Sequence, residues 1–60
     1  MKQMKQITVK CVYGIQTSFI GFYRRDMEKP NWHYYETEQG DILHFRKENM
    51  VAVEESNLNI

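Results

Sequence analysis

The sequence predicts an all-β domain, a small and strongly bent antiparallel sheet of five strands or a barrel. Three observations lead there. Short runs alternate apolar and polar residues with a period of two, glycines stand between those runs, and no run spaces its apolar residues by three and four for long enough to form a stable helix.

The first strand is read over residues 6–13, QITVKCVY, where Ile7, Val9, Cys11 and Tyr13 fall on one face. Gly14 can take a positive φ and closes a hairpin onto a second strand over 16–24, QTSFIGFYR, whose Gly21 marks a bulge or a sharp bend. Residues 25–31, RDMEKPN, are charged and end in a proline-containing loop. Residues 32–37, WHYYET, are strand formers, and EQGD at 38–41 is a turn with its glycine where a hairpin wants left-handed geometry. Residues 42–45 form the fourth strand, 46–49 a polar break of one helical turn at most, and 50–54 the fifth. One domain is expected over residues 1–55, with a polar tail at 56–60 and a frayed start in the repeated MKQ. The expected inner set is Ile7, Val9, Cys11, Ile20, Phe22, Tyr34, Leu43, Phe45, Val51 and Val53.

Sixty residues leave no room for a second core, and a chain this short buries only about 60% of the surface its unfolded form exposes. Cys11 is the only cysteine, so an internal disulfide is excluded, and one Cys with His33 and His44 lacks the close-spaced pair that zinc sites use. No cofactor is expected. No apolar stretch approaches the length of a membrane helix and no apolar leader follows Met1, which predicts a cytoplasmic protein with no membrane partner.

Net charge is zero but unevenly placed. Residues 1–30 carry six basic and two acidic side chains, residues 31–60 two basic and six acidic, giving +4 and −4. That balance argues against a uniformly basic nucleic-acid surface and would suit head-to-tail contact between copies.

The stretch GDILHFRKENMVAV, residues 40–53, resembles the second motif of Sm-like proteins and the strand, one-turn break, strand ending of Src-homology-3-like barrels. Ile42, Leu43, Phe45, Arg46, Asn49, Val51 and Val53 match the Sm outline, while Lys47 stands where that family has glycine. The resemblance implies a small barrel, an RNA contact at Arg46, and rings formed through the last two strands.

No nucleophile elbow, phosphate loop or metal-binding helix motif is present, and Cys11, in phase with Ile7 and Val9, reads as a buried inert thiol rather than a nucleophile served by His33 or His44. The carboxylates Glu36, Glu38, Glu54 and Glu55 read as solvated strand edges. An enzyme is therefore not expected. RRDMEKPNWHYY, residues 24–35, sets basic residues beside aromatics, a mixture with which small barrels hold peptides or single strands. With Arg46, it nominates Arg24, Arg25, Lys29, Trp32 and Tyr35 as a binding surface, although only one of Tyr34 and Tyr35 can face outward. Met50 and Ala52 are nominated as an uncovered edge through which copies associate. The expected function is a non-catalytic interaction module or regulator, of the kind short bacterial or mobile-element chains supply, acting through a protein partner or self-association. The alternative is a small barrel that binds RNA or a single strand.

Overall fold

The computed structural model describes residues 3–58, which form five antiparallel strands in a single sheet with no α-helix among them. β1 spans Lys5–Cys11, β2 Gln16–Tyr23, β3 Trp32–Thr37, β4 Ile42–Arg46 and β5 Met50–Asn57. Their order across the sheet is β4-β3-β2-β1-β5, a four-stranded meander whose last strand returns beside the first. One-turn 3-10 helices, Arg25–Met27 and Lys47–Asn49, occupy two of the connections. β4 and β5 do not pair with each other, so the sheet curls without closing into a barrel. No helix among the described residues is long and apolar enough to cross a membrane.

Two ends differ from expectation. β1 begins one residue earlier than expected, at Lys5, and the predicted tail is strand through Asn57, because Gln6 pairs with Ser56 and Lys5 with Asn57. Cross-strand pairing has overridden the polar character of those residues. The remaining expectations for the termini concern residues 1–2 and 59–60, which lie outside the described residues.

β2 bends the sheet. Its residues Gln16 to Gly21 pair with β1, whereas Gly21 to Tyr23 pair with β3, so the strand passes from one neighbour to the other at the glycine. A Cβ there would collide with the Glu36 carbonyl oxygen, and only glycine lets β3 come so close. The curl brings Phe19 of β2 edge-on to Tyr35 of β3 at 5.5 Å and stacks it on Phe45 of β4 at 6.4 Å. The sheet's bulge lies elsewhere. Val51 is the extra residue between the pairs Lys10 with Ala52 and Cys11 with Met50.

The expected inner set needs correction in β2, β3 and β5. Ile7, Val9 and Tyr35 are the buried core, with Cys11, Phe19, Tyr23, Phe45 and Met50 packed against them. Ile20, Phe22 and Tyr34 lie on the opposite phase from Phe19, Tyr23 and Tyr35, and the bulge turns Met50 inward while leaving Val51 67% exposed. In FIGFY both phases are apolar, so the pattern carries no register. A slip of one residue exchanges the two faces completely.

A candidate binding groove and the faces around it

The tightest connection, between β1 and β2, builds the most unusual surface. Val12 to Ile15 make a two-residue turn in which the Ile15 N–H donates to the Val12 carbonyl at 3.4 Å and the Cys11 N–H to the Ile15 carbonyl at 2.7 Å. Both central residues have positive φ, Tyr13 at 64° and Gly14 at 75°. That geometry matches strand twist, but its first position normally takes Asn, Asp or Gly, since a Cβ is crowded there. Tyr13 accepts the strain and is 95% exposed, and Ile15 beside it is 60% exposed.

Between this turn and the ends of β3 and β4 runs an open groove of about 440 Å³. Tyr13, Ile15 and Val12 border it on one side and Trp32 and His44 on the other, with Cys11 and Phe45 also lining it. Arg46 and Asn49 supply its polar lip, and the Arg46 guanidinium lies 5.7 Å from the Trp32 ring centre. Cys11 is half-buried rather than sealed in the core. No carboxylate lines the groove itself, and its one cation, Arg46, is paired with Glu48 at 3.3 Å just outside it.

On the outer face of β3 and β4 a chain of rings and cations continues from the groove. Arg46 lies over Trp32, Trp32 meets His44 edge-on at 5.2 Å, His44 is 6.4 Å from Tyr34, and the Lys29 ammonium sits 5.8 Å from the Tyr34 ring. Strand alternation makes this array, since Trp32 and Tyr34 share a face and His44 is the cross-strand partner of Tyr34.

The concave face holds a second, more open cleft of about 670 Å³, lined by Tyr23, His33, Tyr35, Val53 and three charged residues, Arg25, Glu28 and Glu55. The Tyr23 hydroxyl is 2.8 Å from His33 Nδ1 and also hydrogen-bonds Glu28, which lowers the Glu28 carboxyl below its ordinary range. Burial, then Glu28, raises the Tyr23 phenol. Burial, then Glu55 and Tyr23, raises Tyr35 to about 12. Glu28 also meets Lys47 at 3.6 Å and Glu55 meets Lys5 at 3.6 Å, so both carboxylates of the cleft are paired with lysines beside it.

The nominated surface is therefore divided. Trp32 and Arg46 meet at the groove, with Lys29 further along the same outer face. Arg24 is clamped between Asp26 and Glu36, each at 2.7 Å, and the bond to Asp26, then that to Glu36, holds its guanidinium above its usual range against the opposing cost of burial. Arg25 borders the concave cleft. Tyr35, 4% exposed, belongs to the core, so Tyr34 is the outward ring of the pair. At the nominated edge Ala52 is exposed, but Met50 packs on the core. Sequence reading missed Tyr13, Ile15 and His44. The signal for the first two was present as VYGI between two alternating runs, a Tyr-Gly pair in a two-residue turn; Tyr13 matched the phase of β1 and was counted as strand.

No known protein family matches the chain, nor does any curated protein or solved structure.

Proposed function

We propose that the chain is a non-catalytic interaction module whose groove between the Tyr13 turn and Trp32 receives an extended segment of a protein partner. The observation that carries this reading is Tyr13. A tyrosine kept in left-handed geometry with its ring in solvent costs stability and contributes no packing, and strain of that kind is characteristic of binding sites. Ile15, Trp32 and Phe45 extend its apolar surface, and Arg46 and Asn49 offer polar contacts to a partner backbone or carboxylate.

Panning a random peptide library against the immobilised protein tests this. An enriched apolar motif, lost with Tyr13→Ser and with Trp32→Ala, is expected; no enrichment, or enrichment indifferent to both changes, overturns it.

A second reading is favoured by the outer array. A row of three rings flanked by cations, Arg46, Trp32, His44, Tyr34 and Lys29, suits the stacked bases and phosphates of single-stranded nucleic acid. Labelled oligouridine would then bind with an affinity that falls as salt rises and that Trp32→Ala and Lys29→Glu abolish, while Tyr13→Ser leaves it unchanged.

A further inference from the structure

We infer that two copies of this chain pair antiparallel through β5 about a twofold axis near Ala52 and Val53, joining their sheets into one. β5 is eight residues long and pairs only with β1 among the described residues, so its other edge presents unpaired N–H and C=O groups. Exposed edges are normally guarded by charge. Here the two acids that follow the apolar run are drawn back toward β1, Glu54 to Lys10 at 2.9 Å and Glu55 to Lys5 at 3.6 Å. What remains at the centre of the edge is Val51, 67% exposed, Ala52, and Val53, 37% exposed.

The same acids select the register. Centred on Ala52, the pairing would oppose Val51, turned outward by the bulge, to the inward Val53, so the bulge disfavours that register. Centred on Val53, it sets Glu54 against Ala52. One further step opposes Glu54 to Glu54, and like charges directly opposite destabilise a ladder. Pairing is thereby confined to the uncharged centre of the strand.

The unequal charge of the two halves of the sequence does not direct the copies head to tail. Lys5 with Glu55, Lys10 with Glu54 and Arg24 with Glu36 join the basic half to the acidic half within one molecule, so the halves form no opposed poles. Arg46 on β4 is likewise paired within the molecule, with Glu48 at 3.3 Å. A twofold contact needs only the one surface, meeting itself.

The proposal does not draw on the groove, and its test reads mass and cross-linking rather than peptide capture. Light scattering after gel filtration at tens of micromolar should give twice the 7.3 kDa of one chain. Ala52→Lys should return the mass to that of one chain with an unchanged far-ultraviolet spectrum. In a Cys11→Ala background, Ala52→Cys or Val53→Cys alone should form a disulfide dimer on mild oxidation, because only a twofold contact brings a residue opposite its own copy. A wild-type mass of one chain, a mass above two chains, or a dimer that neither single cysteine cross-links overturns the proposal.

Discussion

Val9 and Val53 are the same residue, paired across one ladder, yet Val9 is 0% exposed and Val53 37%. β1 has a strand on each side and the curled sheet over its inner face, so Ile7 and Val9 are enclosed. β5 has one neighbour, and from Val51 to Asn57 every residue is exposed. Both strands are rich in β-branched residues, so propensity does not separate them. Position in the sheet does, and it gives β1 the stability of the fold and leaves β5 to other contacts.

The contrast breaks most visibly at Ile7. Ile7→Ala should cost about 2–5 kcal/mol, most of what a core this small supplies, and is expected to leave the chain largely unfolded by circular dichroism at room temperature. Gly21→Ala acts on the bend that encloses β1. Its Cβ meets the Glu36 carbonyl, backbone that cannot rotate away, so urea denaturation should show a loss of about 2–3 kcal/mol.

Alkali probes the same enclosure without mutation. The folded Tyr35 value of about 12 lies above the ordinary 10.0, so the folded state prefers the protonated phenol. Its contribution is complete below the unfolded value and is lost as pH rises from there through about 12. The loss is on the order of 2 kcal/mol, and phenolate absorbance should show Tyr35 ionising together with unfolding.

Smaller effects lie at the periphery. Tyr13→Asn should raise stability by up to about 1 kcal/mol, since Asn tolerates left-handed geometry, while removing peptide capture by the groove. Equal or lower stability in thermal melts would show that the tyrosine carries no strain. Val51→Thr should move the melting free energy by no more than about 0.5 kcal/mol in dilute solution, against the large effect at Ile7 on the neighbouring strand.

Strand existence was legible because alternation and turn chemistry are local. Trp32–Thr37 stands where its strand formers put it, and Gly40 has the positive φ, 90°, that the EQGD turn required. Gly21 was legible as a bend because a lone glycine in an aromatic run has few other uses. Facing was legible only where one phase is polar. ITV fixes Ile7 and Val9 inward, whereas FIGFY and WHYY offer a large side chain in either phase, and the inward set joins Phe19 and Tyr35 to Phe45 of β4 and Tyr23 to Tyr35.

The sequence by itself determined five strands, their hairpin connections and the bend in β2, because each depends on the backbone preferences of neighbouring residues. The tertiary structure decided which face of β2 and β3 is buried, that a bulge turns Met50 in and Val51 out, and that the sheet stops short of closure. It also assembled the groove, bringing Tyr13 and Ile15 beside Trp32 and Arg46, residues about twenty to thirty positions apart in the chain. Those outcomes depend on contacts between distant residues, whose energies no short stretch of sequence contains.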